Sequence, residues 1–345
     1  MRRQINTALI GYGTGGKFFH APLIQVTEGL RLHTVLERSK NESKARYPDV
    51  HIARSLEEIL SDKSIELVVI TTPNETHDDF VKQALLADKH VIVDKPFSIK
   101  SSEATALIEL SKKQNKKLTV YHNRRLDGDF LTVQKILHEK ILGDLLEYEV
   151  HFDRFRPEIK QQAWREEDKP GSGILYDLGS HLIDQALVLF GIPEKISADV
   201  QIQRTGGKAD DCFEIVLHYK THKAILKAGM LVKEAGPHFI LKGNQGTFIK
   251  YEMDPQENEL KKGTSPVGKD WGEDPYENWG ELNLEGKISK IKTQRGDYVE
   301  FYRNIYQAIT EEAPLMVKAE EAMQVIRMIE LAKKSSVDNK ALLST

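Results

Sequence analysis

A glycine-rich turn near the N-terminus restricts the fold of this chain more than any other stretch. The apolar run at residues 8–10 leads into Gly11, Gly13 and Gly16 at the spacing G-x-G-x-x-G, and an amphipathic segment follows at once. Between a strand and a helix, the first glycine permits a tight turn, the second lets the backbone approach a pyrophosphate, and the third allows close packing of helix on strand. The amides that open the helix favour an anion. The pattern therefore predicts a dinucleotide-binding βαβ unit.

Length and composition limit the classes of function. The 345 residues suffice for two domains of ordinary size. The 49 lysines and arginines against 52 acidic residues give no charge excess that would favour nucleic acid or a membrane surface. Cys212 is the single cysteine, which excludes an intramolecular disulfide and fits a reducing compartment. Because we find no signal peptide and no apolar run of about 18 residues, we expect a cytoplasmic protein with no membrane partner.

The second strand ends in two charged residues that bear on the choice of cofactor. It covers residues 30–36 and runs into Glu37, about 20 residues beyond the glycine turn, with Arg38 next. A carboxylate at this position can bind the adenosine ribose hydroxyls and repel a 2′-phosphate, whereas an arginine can pair with that phosphate. Both residues also fit an ordinary solvated strand end. The sequence predicts NAD or NADP and leaves the choice between them open.

Strands and helices alternate up to residue 122. Apolar strands at residues 65–71, 90–93 and 117–121 each follow a helical segment, as expected of parallel strands buried on both faces. We therefore predict an α/β fold whose N-terminal Rossmann domain, residues 1–122, is a doubly wound parallel sheet. Ligands of such sheets bind beyond the carboxyl ends of the strands. The segments expected to converge there are residues 11–16, 37, 72–77, 94–96 and 122–125.

The pattern changes in residues 123–345. A helix at 130–140, a strand at 145–155 and a helix ending near 189 precede several strands between 195 and 251 that have no helices between them. Consecutive strands with short turns predict a mostly antiparallel sheet, and hence an α+β domain in residues 123–345, to which we assign substrate binding and oligomerisation on the resemblance given below. Residues 254–294 are rich in Gly, Pro, Asp and Lys and are expected to form an extended surface excursion. Helices near 298–311 and 319–334 close the chain.

Three titratable residues share one helix face in the second domain. Asp177, His181 and Asp184 stand at i, i+4 and i+7, so a helix would bring them together. An imidazole between carboxylates suits general acid–base chemistry, since its pKa lies near neutrality. A structural histidine and a His-x-x-Asp metal pair are the alternatives, but no third ligand is apparent, and we predict no metal. The glycine-rich entry at residues 170–173 and the dinucleotide fold upstream favour catalysis.

Lys95 precedes a proline at the end of a strand. A lysine held there, near the cofactor, can hydrogen-bond a substrate hydroxyl and stabilise its alkoxide character. A surface ammonium is the alternative. The residue before a proline is pushed toward extended geometry, and the Lys95–Pro96 bond is a candidate cis peptide.

Four motifs carry a resemblance to a known family. Gly11-Tyr-Gly-Thr-Gly-Gly16, Thr72-Pro73-Asn74-x-x-His77, Asp94-Lys95-Pro96 and Asp177-x-x-x-His181-x-x-Asp184 resemble the signatures of the glucose–fructose oxidoreductase, inositol dehydrogenase and MocA family. Residues 18–22, 121–125, 151–157 and 176–186 resemble its branch of NADP-linked scyllo-inositol dehydrogenases. Asp94 departs from the commoner Glu-Lys-Pro motif. Glu37-Arg38 departs from the small or basic residues that NADP-linked relatives often carry.

The resemblance implies a role for each matching residue. Lys95 and His181 would form the catalytic pair, supported by Asp177. The implied cofactor-binding residues are Gly11, Gly13, Thr14, Gly16, Glu37, Arg38, Pro73, Asn74, His77, Asp94, Lys95, Trp164 and Arg165. The implied substrate-binding residues are Lys95, His122, Asn123, Arg125, Arg154, Asp177, His181 and Asp184. The family also suggests a homo-oligomer, a dimer or tetramer, formed through the antiparallel sheet.

These observations predict a dehydrogenase that uses NAD or NADP and acts on a secondary hydroxyl of a cyclic polyol or sugar. A non-catalytic, cofactor-binding regulator on the same fold is one alternative, because a fold does not fix a function. A reductase of a non-sugar carbonyl is another. The presence of Lys95, Asp177 and His181 together favours an enzyme, because a protein that only binds has no need of all three.

Overall fold

The computed structural model describes residues 3–160 and 163–344. These residues form two compact units, and both are discontinuous in sequence. The first consists of the chain up to Leu126 together with Pro255–Trp271 and Asp297–Met323. The second consists of Asp127–Asp254, Gly272–Gly296 and the chain from Gln324 onward. Two later segments therefore belong to the first unit. The predicted division of the chain at residue 122 does not include them in that unit.

The first unit contains, among its described residues, a six-stranded sheet of order β3-β2-β1-β4-β5-β6. Every neighbouring pair is parallel, and the strand order reverses beside β1. The predicted doubly wound Rossmann sheet is therefore confirmed, and the carboxyl ends of its strands form one edge. The strands are β1 Ile5–Ile10, β2 Leu30–Leu36, β3 His51–Ala53, β4 Ile65–Ile70, β5 His90–Asp94 and β6 Leu118–Tyr121.

The helical segments of the described residues are of three kinds. The α-helices are α1 Ala21–Val26, α2 Leu56–Ser61, α3 His77–Leu86, α4 Ser101–Lys113, α5 Gly128–His138, α6 Ser180–Phe190, α7 Gln256–Lys262, α8 Val299–Thr310 and α9 Ala319–Asp338. Two π-helical stretches, Gly15–His20 and Leu175–Gly179, lead into α1 and α6. Short 3-10 turns lie at Glu42–Ala45, Asn74–Thr76, Asn123–Leu126, Trp164–Glu166 and Tyr276–Asn278.

The core of the first unit lies where α1 and α8 pack on the sheet. Leu9 and Val69 of the sheet share one buried cluster with Leu23 of α1 and with Phe301 and Ile305 of α8. The apolar positions of α8 recur at helical spacing, which gives the helix one face for this core. The later segment that contains α8 is thus part of the core of the first unit.

The second unit contains a nine-stranded sheet of order β14-β13-β12-β11-β7-β10-β9-β8-β15. All pairs between its described strands are antiparallel except β7 with β10, so the predicted mostly antiparallel sheet is confirmed. The strands are β7 Leu145–His151, β8 Lys195–Gln201, β9 Cys212–His218, β10 Lys223–Gly229, β11 Phe239–Gly243, β12 Gly246–Lys250, β13 Gly280–Leu284, β14 Lys287–Ile291 and β15 Leu342–Leu343.

One face of this sheet is packed and the other is open. Tyr148 of β7 is completely buried against Phe190 of α6. On the opposite face, Val216, Ile225 and Ile240 are only half-buried. The second unit therefore keeps an uncovered sheet surface. No helix in the part of the chain that the structure describes is both long and apolar enough to cross a membrane.

The predicted surface excursion at residues 254–294 is wrong. This stretch contains α7, β13 and β14, and its polar composition hid the alternation of Gly280 and Leu282, which are buried between exposed neighbours. A buried ion pair of 3.0 Å between Lys250 Nζ and Asp274 Oδ2 joins it to β12. The predicted strand at 145–155 is also shorter, because β7 ends at His151 and Phe155 forms only an isolated bridge with Leu231.

Candidate functional site

The glycine turn has the shape that a pyrophosphate requires. Gly11 has a φ of +100°, in the region that favours glycine, and a Cβ on Gly16 would stand 2.1 Å from the Gly11 carbonyl oxygen. A Cβ on Gly13 would meet nothing within 4 Å. The turn is thus closed against its own backbone and open at Gly13. Since Thr14 leads directly into the helical segment, this cradle fits a dinucleotide phosphate.

The loop after β4 is fixed to the loop after β5 by His77. Its imidazole is completely buried, with Nδ1 2.8 Å from the Pro96 carbonyl oxygen and Nε2 2.9 Å from that of Thr72. Burial lowers the pKa of the ring below its ordinary value. This placement argues against the prediction that His77 contacts the cofactor, since the residue has no exposed surface and joins two loops. Pro73 is exposed and Asn74 is buried in the same loop.

Glu37 points into the protein. Its carboxylate accepts hydrogen bonds from the backbone N–H groups of Glu42, at 2.8 Å, and Ser43, at 2.9 Å, and also from the Ser43 hydroxyl. The residue is 6 % exposed and caps the 3-10 turn at Glu42–Ala45. This placement argues against the prediction that Glu37 binds the ribose. Arg38, by contrast, is exposed.

Asp94 brings the turn of Lys95 against the glycine turn. Its Oδ1 accepts a hydrogen bond of 2.8 Å from the Lys95 N–H, and its Oδ2 lies 3.0 Å from where a Cβ on Gly15 would stand. Burial alone would raise the pKa of this carboxyl, but His20 and Lys95 outweigh that effect and hold the pKa below its ordinary value. The Lys95–Pro96 bond is cis, as the sequence allowed.

The residues after β6 are mostly held by the first unit itself. Arg125 Nη1 pairs with Glu321 Oε2 at 2.6 Å, and the Arg125 side chain is 9 % exposed. This ion pair argues against the prediction that Arg125 binds substrate, because the guanidinium anchors the start of α9. His122 is buried and Asn123 is half-buried. The sequence offered no sign of a partner 196 residues away.

The predicted acid–base residues of the second unit lie on one helical segment. Asp177 belongs to the π-helical stretch, and His181 and Asp184 belong to α6. His181 and Asp184 are 6 % and 2 % exposed, whereas the Asp177 side chain is 26 % exposed. Arg165 Nε lies 3.6 Å from Asp177 Oδ1. The three residues thus lie on consecutive turns of one helical segment, and their roles in acid–base chemistry remain a prediction.

Asp210, which sequence reasoning missed, caps this helical segment. Its Oδ2 accepts a hydrogen bond of 2.7 Å from the Leu175 N–H, and its carbonyl accepts one of 2.9 Å from the Ile174 N–H. Gly173 has a φ of +84°, and a Cβ there would stand 2.2 Å from Asp210 Oδ1. The glycine is therefore required for the cap, which gives the glycine-rich entry a structural reason.

Two arginines of the second unit lie against aromatic rings. The Phe152 ring stacks on His181 with a centroid distance of 6.5 Å, and the Arg154 guanidinium lies 4.8 Å from the Phe152 centroid. The Arg165 guanidinium lies 4.6 Å from the Trp164 ring. Arg154 and Arg165 therefore each rest on an aromatic face in the unit that carries His181.

Arg204 is a second residue that sequence reasoning missed. Its side chain is 3 % exposed, and its Nε pairs with Asp211 Oδ2 at 2.9 Å while its Nη2 pairs with Glu166. Glu166 belongs to the 3-10 turn that also contains Trp164 and Arg165. The buried arginine thereby fixes this turn to the β8–β9 region. Within residues 3–160 and 163–344, no three His, Cys, Asp or Glu side chains are grouped so that they could hold a metal ion.

Family models match both parts of the chain. Residues 5–122 match the model described as "Oxidoreductase family, NAD-binding Rossmann fold". Residues 134–342 match the model described as "Oxidoreductase family, C-terminal alpha/beta domain". These are the two domain models of the glucose–fructose oxidoreductase, inositol dehydrogenase and MocA family, so the resemblance predicted from the motifs is confirmed.

Individual proteins are similar over nearly the whole chain. The scyllo-inositol 2-dehydrogenase (NADP(+)) IolW of Bacillus subtilis is 38% identical over 349 residues, which cover 99% of this chain and 97% of the relative. The oxidoreductase YdgJ of Escherichia coli, which is named as uncharacterized, is 40% identical over 97% of each chain. The solved structure of yvaA from Bacillus subtilis superposes with a TM-score of 0.96 at 38% identity and covers 99% of both chains.

Proposed function

This chain belongs to the glucose–fructose oxidoreductase, inositol dehydrogenase and MocA family of oxidoreductases, and on that premise we propose that it transfers hydride between NADP and a secondary hydroxyl of a cyclic polyol or sugar. The relative from Bacillus subtilis that bears the name scyllo-inositol 2-dehydrogenase supports an inositol-like substrate. When bound, the nicotinamide accepts or donates the hydride.

The observation that carries this proposal is the approach of Asp94 to the glycine turn. Asp94 Oδ2 lies 3.0 Å from the Cβ position of Gly15, and Asp94 is bonded to Lys95. Gly11, Gly13, Thr14 and Gly16 would hold the pyrophosphate of the cofactor. Lys95 therefore belongs to the loop beside these residues, and its ammonium is proposed to contact a substrate oxygen.

Lys95 and His181 are proposed to act on the same hydroxyl. The Lys95 ammonium donates a hydrogen bond to the substrate oxygen and stabilises the charge that develops on it. The His181 imidazole takes the hydroxyl proton, and the Asp177 carboxylate stabilises the imidazolium. In the opposite direction His181 returns the proton to a ketone oxygen.

The remaining polar residues are proposed to recognise a substrate rich in hydroxyl groups. The Asp184 carboxylate can accept hydrogen bonds from such hydroxyls, and the Arg154 guanidinium can donate them. His122 and Asn123 are the weaker assignments, and Trp164 and Arg165 are proposed to approach the nicotinamide. The combination of acceptors and donors suits a polyol better than an apolar carbonyl compound.

The orientation of Glu37 favours NADP over NAD. The Glu37 carboxylate accepts hydrogen bonds from two backbone amides and a hydroxyl, and is therefore not directed at a ribose. The exposed Arg38 follows it and can pair with a 2′-phosphate. The relative from Bacillus subtilis carries NADP(+) in its name, which agrees with this choice.

The open sheet face of the second unit is proposed to form a homo-oligomer, a dimer or tetramer. Ile249, Ile240, Glu149, Ile225 and Val216 form one row across neighbouring strands of that face. Lys227 pairs with Glu149 at 3.3 Å on the same face, and each of these residues could form an ion pair with the other's counterpart in a second copy. A second copy of this chain carries the same row of four apolar residues around Glu149 and would match it in an isologous contact.

The proposal is tested by following absorbance of the reduced nicotinamide with purified protein, NAD and NADP separately, and a panel of inositols, aldoses and simple alcohols. Turnover of a cyclic polyol with NADP is the expected result. Turnover only with a non-sugar ketone and reduced cofactor would replace the polyol assignment. Cofactor binding without turnover across the panel, in either direction, would instead support a non-catalytic regulator.

A further inference from the structure

A buried histidine lies behind Asp94. His20, at the end of the helical segment that follows the glycine turn, is completely buried. Its Nδ1 lies 2.6 Å from the Tyr302 hydroxyl oxygen and its Nε2 lies 3.7 Å from Asp94 Oδ2. The Tyr121 ring covers the imidazole with a centroid distance of 4.3 Å. These four side chains all belong to the first unit, and His20, Tyr121 and Tyr302 have no role in the proposed reaction so far.

The partners of His20 determine its tautomer. Burial raises the pKa of the Tyr302 hydroxyl well above its ordinary value, so this hydroxyl keeps its proton. If it donates to Nδ1, the imidazole proton is on Nε2 and points toward the Asp94 carboxylate. The opposite arrangement would direct the Nε2 lone pair at an anion, which is repulsive. Tyr302 therefore donates to His20, and the His20 Nε2–H faces Asp94 Oδ2 at 3.7 Å, which is longer than a hydrogen bond, so its effect on the carboxylate is electrostatic.

This series of side chains ends at a carboxylate and does not conduct protons. Tyr302 is completely buried, so the series ends in the interior with no exit to solvent. Its other end is the Asp94 carboxylate, whose Oδ1 accepts the Lys95 N–H and whose side chain is 25 % exposed. The charged or titratable side chains that act on Asp94 are His20, His77 and Lys95. Asp94 is thus held at Oδ1 by a hydrogen bond, faces the His20 N–H at Oδ2 and is partly exposed.

We propose that His20 is a positioning residue that fixes Asp94 as an anion near the nicotinamide, so that the pair strengthens binding of the oxidised cofactor relative to the reduced one. In a doubly wound sheet the two halves each hold one mononucleotide, and β1 to β3 take the adenosine half. Asp94 ends β5, on the other half. The oxidised nicotinamide ring carries a positive charge and the reduced ring does not, so a fixed anion distinguishes them.

The inference rests on the proposed cofactor but not on the proposed substrate. We would therefore measure the dissociation constants of NADP⁺ and NADPH, by fluorescence of the reduced form and by competition, with no substrate present. We define the ratio as the dissociation constant of NADP⁺ divided by that of NADPH. In Asp94→Asn we expect this ratio to rise about tenfold, because the negative charge that favours the oxidised ring is removed. Lys95 is present in both proteins, so its ammonium does not affect the comparison.

Variants behind Asp94 test the role of His20 itself. In His20→Leu the same ratio should rise at least about threefold, whereas His20→Gln, which keeps an N–H donor, should restore most of the difference. Tyr302→Phe keeps the ring packing and removes the donor to Nδ1, so it tests the series if His20→Leu does not fold. Tyr306→Phe is the matched control, because this hydroxyl lies one turn further along α8 and donates to the Arg3 carbonyl.

Each outcome of these titrations is decisive. An unchanged ratio in Asp94→Asn, or an equal loss of affinity for both forms, would overturn the inference. An unchanged ratio in both His20→Leu and Tyr302→Phe would show that Asp94 acts without His20, and would overturn the role of His20. Failure of the wild-type protein to bind NAD or NADP in either form would overturn the proposed function itself. Absence of polyol turnover with normal cofactor binding would affect only the substrate.

Discussion

The carboxylate of Asp210 accepts a hydrogen bond of 2.7 Å from the backbone N–H of Leu175, at the start of the helical segment that carries Asp177 and His181. The first amides of a helix have no partner within the helix, so a buried helix start needs an acceptor of this kind. Burial raises the pKa of the Asp210 carboxyl above its ordinary value. The helix proposed to carry the catalytic base therefore depends on a residue from a distant loop.

Replacement of Asp210 by Ala should lower the free energy of unfolding by about 1–2 kcal/mol, because the Leu175 amide loses its acceptor. Asp210→Asn keeps an acceptor oxygen and should retain most of that stability. The raised pKa gives a sign for the pH dependence: the charged form is disfavoured in the folded state, so the contribution of Asp210 to stability is full below the unfolded-state pKa and is lost as pH rises through the higher folded-state pKa.

Urea unfolding of the wild-type protein and both variants near pH 4 and pH 7 measures these effects. We expect the stability difference between Asp210→Asn and the wild-type protein to shift in favour of Asn at the higher pH. A destabilisation by Asn equal to that by Ala at both values would contradict the assignment of Asp210 as a helix cap.

The sheet and the glycine turn could be predicted from the sequence because their signals are local. The apolar strands that alternate with helical segments identify a parallel sheet, and in such a sheet the loops after the strands lie at one edge. The sequence alone was therefore enough to select Gly11, Asp94 and Lys95. Likewise, the spacing of Asp177, His181 and Asp184 depends only on the helix that carries them.

The contacts that fix these residues could not be predicted because they join distant parts of the chain. His20 and Tyr302 are 282 residues apart, and Arg125 and Glu321 are 196 apart. Glu37 shows a second limit. Its position at the end of β2 is the one expected for a ribose-binding acid, but the side chain turns to cap the next segment. The direction of a side chain depends on nearby donors that a strand pattern does not reveal.

Removal of either proposed catalytic side chain should abolish most turnover and leave the affinity for the cofactor nearly unchanged. Lys95→Ala and His181→Ala should each lower kcat at least about 10²-fold, since each removes stabilisation that is needed only in the transition state. The affinity for NADPH should change little. Lys113→Ala, a substitution of an exposed lysine on α4, is the control. Steady-state kinetics with unchanged turnover in both variants would refute the catalytic pair.

The choice between NADP and NAD should depend on Arg38. Arg38→Ala should raise KM for NADP about 10- to 100-fold, the range expected for loss of a charge-assisted hydrogen bond to phosphate, and leave KM for NAD nearly unchanged. Arg31→Ala removes an exposed arginine from β2, the strand that precedes Arg38, and serves as the matched control. Equal loss for both cofactors, measured with one substrate, would show that Arg38 does not contact the 2′-phosphate.

The open sheet face should determine the oligomeric state. Nine strands about 4.8 Å apart and about 20 Å long offer roughly 800 Å² on one face, which is about what one partner of a stable interface buries. Ile240 lies in this row between Ile249 and Glu149. Ile240→Lys places a charge there and should shift a dimer or tetramer toward smaller species. Leu86→Lys, on an exposed position of α3 in the first unit, is the control. Light scattering after size exclusion gives the mass directly. A monomeric wild-type protein, or an Ile240→Lys variant of unchanged mass, would show that this face does not join two copies.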